Sequence, residues 1–485
     1  MSYGRRVIYT DAIEITKENV ADEVRKASLV HANNLGEIEK LYRYYRGKTD
    51  ILGKTKEIRE SINHKINENR AYEIVSFHKG YTFGEAIQYV RRENTTEKKD
   101  DDTIASDINA LNGYMSDADK AAVDNELAEW LLVSGTSYRM ALPNKGWTKE
   151  GDEPPFKQYA LDPRQTFVVY SNSVDRKPLM AVYCVCRENQ ERLFSVYTDK
   201  SYFEFTEFGE VTEKPHALGM IPIVEYPADM ARLGVFEIVM PLLDALDELQ
   251  SNRMDDIVQF VNSFLAILGA ELDDDTYKKL NEWKTLCLPE GTDAKYLSPA
   301  MSQNDVQTLK DDLYQSILTI CGVPNRNGGS STSDTGSAVI MRDGWQAAEA
   351  RAKATELVFK KSEKQFLKLV LRILRDTVGT SLRLADIDTH FTRRNYENVA
   401  SKSQVLISML NNPWIHPEVA YASCGMFPDP ESAYLQGKAW KEENSEKEAK
   451  RIADSGPSTL PSVQQETDGP ERAGTGKMPK MQSPG

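Results

Sequence analysis

The side chains in this chain that could do chemistry are a P-loop-like tetrapeptide, several carboxylate runs and a few scattered histidines. Arg46-Gly47-Lys48-Thr49 has the ending of a phosphate-cradling loop. The first glycine of GxxxxGK[ST] must open such a loop, so that backbone N–H groups can surround phosphate. Tyr42 stands at that position, and ATP binding is not expected. Asp386, Asp388 and His390 alternate, so on a strand they would share one face and could approach a metal ion. No second cluster completes a shell, and a solvated strand face is the simpler reading. Asp100-Asp101-Asp102 and Asp273-Asp274-Asp275 lack the spaced loop of an EF-hand. They read as solvated turns, the second also as a helix N-terminus. There is no GxSxG, and the six histidines pair with no obvious nucleophile. A metal-dependent nuclease is the enzymatic alternative. It requires carboxylates converging on Mg²⁺, whereas this sequence offers runs. No catalytic residue, metal site or cofactor is expected.

The organising element is the stretch from Gly234 to Gly269. Val235, Val239, Leu242, Leu246 and Leu249 form one apolar run; Met254, Ile257, Val261, Phe264 and Leu268 form a second. Steps of three and four predict one helix face. Pro241 is acceptable in a first turn, so the helix is expected from Pro241 to Gly269, about 43 Å long. Residues 303–321 return as a helix through Val306, Leu309, Leu313, Ile317 and Ile320. Between them, Lys284–Leu288 and Lys295–Leu297 suggest a short β-hairpin around Pro289-Glu290-Gly291. The economical reading is an antiparallel helix pair with a small cap.

Ahead of this pair, residues 17–46 and 103–133 read as helical, with a charged insert at 93–102. FVVY (167–170), LMAVYCVCR (179–187), RLFSVYT (192–198), SYFEFTEF (201–208) and MIPIVEY (220–226) read as strands of an antiparallel sheet. Alternation through Val182, Cys184 and Cys186 allows both faces to be covered. After the pair, residues 322–338 are too rich in Gly, Ser and Asn to hold one conformation unaided. Ser337 to Val378 then reads as one helix of about 60 Å. From Arg342 to Asp376 it carries nine basic and five acidic residues, net +4. A strand over 385–393, helices at 396–410, 417–425 and 429–454, and a disordered tail complete the chain.

At 485 residues the chain allows two to four domains. A net charge of −14 argues against gripping nucleic acid over a broad basic face. Five sparse cysteines without CxxC imply a reducing compartment. The N-terminus has no apolar h-region, so no secretory signal is expected, and no stretch of about 20 apolar residues predicts a membrane span.

These ordered pieces resemble the portal (head–tail connector) proteins of tailed bacteriophages, the type common in siphophages of Gram-positive hosts. The resemblance covers roughly residues 35 to 440. It rests on Tyr44-Tyr45-Arg46-Gly47 with Ile51, Asn67-Glu68-Asn69, and Gly80-Tyr81-Thr82-Phe83-Gly84. It continues through Leu218 to Tyr226, Leu242 to Asp247 with Ser251-Asn252, Gly322-Val323-Pro324, and Thr335-Gly336-Ser337-Ala338. Where the family often has Ser-Gly-x-Ala-Leu-Lys, this chain continues Ala338-Val339-Ile340.

The resemblance implies an α+β, mainly helical fold of portal type. Residues 1–233 would be an N-terminal wing with a β-rich subdomain at 154–230. Residues 234–269 and 303–322 would be stem helices, and 270–302 the clip. Residues 323–378 would hold the tunnel loop and a long wing helix, 379–453 the crown, and 454–485 a disordered tail. It further implies a ring of about twelve subunits at one capsid vertex, passing double-stranded DNA during packaging and ejection. Terminase large subunit, head-completion or adaptor proteins, major capsid and scaffold proteins would be partners, and the locations the virion and, during assembly, the host cytoplasm. Asn325, Arg326, Asn327, Gly328, Gly329, Ser330 and Ser331 would be the DNA-facing tunnel loop. Asp244, Asp247, Glu248, Asp255 and Asp256 would be an acidic stem lining, and Lys278, Lys279, Trp283 and Lys284 would dock partners at the clip.

Two physical arguments run the same way. Grooves about 8.5 Å deep imply a duplex roughly 20 Å wide. Helix axes around it at a radius of about 18 Å, spaced about 8–10 Å, number roughly 11 to 14. The carboxylate excess over Arg253 in the first stem helix would repel phosphate and let DNA slide, unlike a site built on counterion release. A helical scaffold unrelated to phage is the other non-enzymatic alternative, and would be monomeric or dimeric.

Overall fold

Val20, Val24, Ala27, His31, Asn34, Ile38, Leu41 and Tyr45 follow one another at steps of three and four. All are buried along one face of the first helix, α1 (Val20–Tyr45), in the computed structural model. The structure describes residues 4–57, 60–92, 101–188, 191–207, 209–261, 264–268, 293–297, 303–325, 344–392, 399–427 and 430–454. Two compact units divide the chain, Met1–Ser401 and Lys402–Gly485.

In the first unit, β1 (Ile8–Thr10) precedes α1. After a 3-10 turn at Asp50–Gly53 come α2 (Arg70–Phe83), β2 (Gln88–Arg91), α3 (Asp101–Asp117) and α4 (Lys120–Ser134). Strands β3 (Thr136–Pro143), β4 (Phe156–Leu161), β5 (Thr166–Ser171), β6 (Pro178–Cys186), β7 (Arg192–Tyr197), β8 (Ser201–Thr206), β9 (Thr212–Pro215) and β10 (Ile223–Pro227) follow. They form a six-stranded sheet ordered β1-β5-β6-β7-β8-β9 and a three-stranded sheet ordered β10-β3-β4. All neighbours are antiparallel except β1, which joins β5 in parallel. The N-terminal half of α1 packs on one sheet face through Val20, Val24 and Ala27 against Val169, Met180, Val182 and Val196. Val168 and Ala181 point to the other face and meet Tyr138, Met140, Leu161 and Ile223. Both faces of β6 are thus covered in its first half, while Cys186 at its end is exposed.

Two glycines sit where backbones nearly touch. A Cβ on Gly135 (φ +75°) would lie 2.1 Å from the Arg232 carbonyl oxygen, and one on Gly234 would lie 2.4 Å from that of Val133. Only glycine lets the approach to the central helix pass so close to the end of α4.

The central helix, α5 (Met240–Val261), stops earlier than its pattern predicts. Phe264–Leu268 is strand β11, paired antiparallel with β12 (Asp293–Leu297). A five-residue apolar run fits either state, and a cross-strand partner decides for the strand. The second strand of the expected hairpin, Lys295–Leu297, lies within β12, whose described partner is β11; the expected first strand, 284–288, lies outside the described residues. α6 (Gln303–Cys321) returns, and α7 (Trp345–Thr377) is the long helix; 326–343 lies outside the described residues. Finally β13 (Ile387–His390) pairs antiparallel with β2, almost three hundred residues earlier. Phe359, Phe366, Leu369, Val370 and Ile373 of α7 are buried against α3, α4 and these strands in the largest core. Each such side chain contributes about 1.5–3 kcal/mol.

α8 (Val399–Leu410) spans the division between the units. In the second unit, His416 Nδ1 accepts the Glu418 N–H at the start of α9 (Pro417–Cys424), a helix opened by proline in its first turn. Tyr421 stacks on Phe427 with centroids 5.2 Å apart and meets Tyr434 of α10 (Pro430–Asp454). The expected crown, 379–453, straddles the division. Residues 455–485 lie outside the described residues.

Candidate functional site

Asp244, Asp247, Ser251 and Asp255 lie three or four residues apart, and so share one face of α5. That face does not look outward; it holds the chain between α1 and α2. Tyr44 Oη donates to Asp244 Oδ1 at 2.8 Å. Asp247 accepts from Thr49 Oγ1 at 3.1 Å and from the Glu68 N–H at 3.0 Å. Ser251 Oγ accepts the Ile66 N–H at 2.9 Å. Asp255, fully buried, accepts the His64 N–H at 2.8 Å, faces His64 Nδ1 at 2.7 Å, and pairs with Lys56 and Lys54. Burial pushes its carboxyl up, but Lys56 and the two His64 contacts outweigh that and hold it at about 2. Asp244 and Asp247 go the other way, raised chiefly by burial.

α6 runs antiparallel to α5. Arg253 donates to Gln307 at 2.9 Å near one end, and Cys321 lies against the Val235 carbonyl at the other. Leu243, Leu246, Ile317 and Leu318 fill the seam together with Ile74 and Val75 of α2. α2 also clamps the pair by charge. Arg70 lies 4.4 Å from the Tyr314 ring centroid, Tyr314 Oη donates to Glu73 at 2.9 Å, and Lys310 pairs with Glu68 at 2.9 Å. Burial raises the Glu68 carboxyl, and Lys310 and Arg70 more than reverse that.

The carbonyl end of α6 is capped from two sides. His78 Nε2 donates to the Cys321 carbonyl and Arg351 Nη1 to the Ile320 carbonyl, each at 2.8 Å. The Arg351 cation suits a helix C-terminus, and His78 caps it as a neutral N–H donor. Burial draws His78 down to about 4 and pushes the Cys321 thiol up to about 11. The start of α7 is held by the same helix α2: Trp345 meets Phe77 and Tyr81, and Tyr81 Oη donates to Glu349 at 2.9 Å.

Further along α7, Glu363 is fully buried. It accepts from Tyr89 Oη at 2.6 Å and Tyr226 Oη at 2.7 Å, with Lys120 at 3.1 Å and Arg139 at 3.4 Å. Asp124 pairs with both cations, so two positive and two negative charges close on themselves. Arg139 also lies 4.4 Å from the Phe366 ring centroid. Burial raises Glu363, and Arg139 and Lys120 outweigh it and bring it below the usual carboxylate range. The cluster thus ties α7 to β2, α4, β3 and β10.

Of the five stem acids expected to face DNA, the structure turns Asp244, Asp247 and Asp255 inward, against residues 44–68. Glu248 and Asp256 are exposed. The inward turn has a plain cause: Thr49, Lys56, His64 and backbone N–H groups supply the partners. Asn325 ends a described stretch. Arg326, Asn327, Gly328, Gly329, Ser330 and Ser331 lie outside the described residues, as do Lys278, Lys279, Trp283 and Lys284. Asp386 is buried and accepts the Arg383 N–H at 3.0 Å, while Asp388 points to solvent. Among the described residues no three His, Cys, Asp or Glu side chains stand together as metal ligands, and no helix is long and apolar enough to cross a membrane. The Glu363 cluster was missed in the sequence. Its signal is there: a carboxylate beside Ser362, on the apolar arc that runs from Phe359 to Phe366.

Compared with known proteins, residues 28–453 match the family model described as phage portal protein, SPP1 Gp6-like. No curated protein matches. One similar solved structure is a chain from the neck of a native GTA particle computed with C12 symmetry. It is 14% identical, covers 81% of this chain and 94% of its own, and superposes with a TM-score of 0.44.

Proposed function

The chain belongs to the SPP1 Gp6-like phage portal protein family, and we propose that it assembles into a ring of about twelve copies forming a DNA channel at one capsid vertex. Double-stranded DNA enters through this ring during packaging and leaves through it at ejection. The ring docks the terminase large subunit first and head-completion or adaptor proteins later, and meets major capsid and scaffold proteins around its rim. The observation that carries the reading is the family match over residues 28–453.

The geometry supports the assignment of parts. α5 and α6 are the stem, running out and back, and the β11–β12 pair lies at their far end. Residues 270–302 are the clip, with Lys278, Lys279, Trp283 and Lys284 as its docking residues. The stem leaves Met254 and Ile257 of α5 and Leu309 of α6 exposed. These are positions for a neighbouring copy to cover. The exposed acids Glu248 and Asp256 are the remaining candidates for a phosphate-repelling channel wall. Residues 323–336 form the tunnel loop, where Asn325, Arg326 and Asn327 touch phosphate in passing.

Electron microscopy of the purified protein is the direct test. Rings with a central channel are expected; monomers at every salt and protein concentration, with capsid and scaffold proteins added, would refute the reading. The loop assignment is tested by Arg326→Glu, which should leave rings and capsids intact while lowering the DNA packaged. Normal packaging by that variant would remove the loop from the channel.

A further inference from the structure

One surface of this acidic protein is uniformly basic. Lys353, Lys361, Lys364, Lys368, Arg372 and Arg375 are all exposed on α7. At 3.6 residues per turn they share an arc of about 100° and a length of about 33 Å. No carboxylate falls inside the arc. Glu349 and Asp376 stand at its edges, 3.5 Å from Lys353 and 3.2 Å from Arg372. Exposed pairs of this kind contribute little and exchange readily. Among the described residues, no carboxylate lies within ion-pair distance of Lys361, Lys364 or Lys368. Leu357, exposed in the middle of the arc, adds no charge.

The opposite face of the same helix carries Phe359, Glu363, Phe366 and Val370 into the core. The stripe is therefore fixed on a rigid rod, and its cations need no ordering of backbone to act together. They are separated by roughly 6.6 Å on average along the rod. A duplex offers one phosphate charge per about 1.7 Å of axis, so every cation on the stripe can reach one. The stripe is about as long as one duplex turn, roughly 34–36 Å. The rest of the protein is acidic, but screening limits repulsion to about 8–10 Å.

We propose that this stripe on α7 is a second, sequence-independent contact for the backbone of double-stranded DNA, separate from the channel. It rests on the portal reading only for the presence of DNA beside the protein. A second copy of this chain is the competing occupant. It fits less well, because no described helix carries a matching uninterrupted acidic arc. The exposed acids of α6, Asp305, Asp311 and Asp312, cover about a third of the stripe's length and are interleaved with Lys310.

The test uses the full-length assembled protein and a blunt duplex of about 30 base pairs. Affinity is measured by fluorescence anisotropy across a salt series, beside the triple variant Lys361→Gln, Lys364→Gln, Lys368→Gln. All three side chains are exposed, so the fold is undisturbed, and light scattering follows assembly in parallel. The variant should bind about tenfold or more weakly at 0.1 M salt, and its log K against log[salt] slope should be shallower by about 2.7, or 0.9 per lost phosphate contact. An unchanged affinity and slope, or no binding by the unaltered protein at low salt, overturns the proposal. So does loss of assembly by the variant with DNA affinity retained, which would assign the stripe to a neighbouring copy. Ring images of the unaltered protein test the portal reading separately.

Discussion

Removing the Glu363 carboxylate should loosen the long helix more than any other single change on it. In Glu363→Ala, the two cations Lys120 and Arg139 face only Asp124, in a site where Arg139 and Glu363 are both fully buried. Breaking a buried pair by deleting one partner costs about 3–5 kcal/mol. Tyr89 and Tyr226 lose their acceptors as well, and an unmet buried donor costs about 1–3 kcal/mol. These terms share one network and do not add, so the whole effect should be about 4 kcal/mol. Glu363→Gln keeps an acceptor but not the charge, and should cost about half as much. Pairing Glu363→Leu with Arg139→Met removes both ions and leaves Lys120 with Asp124; apolar replacement of a buried pair is often close to neutral. The double variant should therefore cost less than Glu363→Ala alone. Hydrogen exchange of α7 amides reads the local stability, and denaturant unfolding of the first unit reads the rest. A Glu363→Ala loss below about 1 kcal/mol, or a double variant equal to the sum of its single changes, would refute the view of this cluster as one coupled lock.

Three further outcomes follow from the geometry. Asp255 sits at about 2 against an ordinary 3.8, so its contribution is complete above about pH 4 and lost as pH falls through 2. Asp255→Asn should cost about 2 kcal/mol at neutral pH, flatten that acid limb in a denaturation series, and speed proteolysis within residues 54–66. His78 is drawn from 6.5 to about 4, so the neutral ring is the folded form and stability should fall as pH drops from about 6.5 towards 4. His78→Gln should remove up to about 3 kcal/mol of that slope; an unchanged pH profile would mean that His78 is protonated in the fold. The tail has almost nothing apolar to bury, so deletion of residues 455–485 should leave ring assembly intact by electron microscopy.

The periodic elements were legible in the sequence because their signals are local. The 3–4 spacing of α1, α6 and α7 and the alternation of β5 to β8 depend only on which face is apolar. So was the family, carried by short pieces in a fixed order. What the tertiary structure alone decided are matters of partners distant in the chain. The end of α5 was misread because FLAIL satisfies either period, and its strand state depends on β12, beyond residue 290. What stands opposite Asp244, Asp247 and Asp255 of α5 is another such matter, because spacing alone cannot say it. Asp247 meets Thr49 and Glu68, and Asp255 meets Lys56 and His64, all nearly two hundred residues away. Glu363 has a local signal in its place on the apolar arc of α7, but that it meets Arg139, Lys120 and Asp124 where water cannot screen them is decided by packing alone.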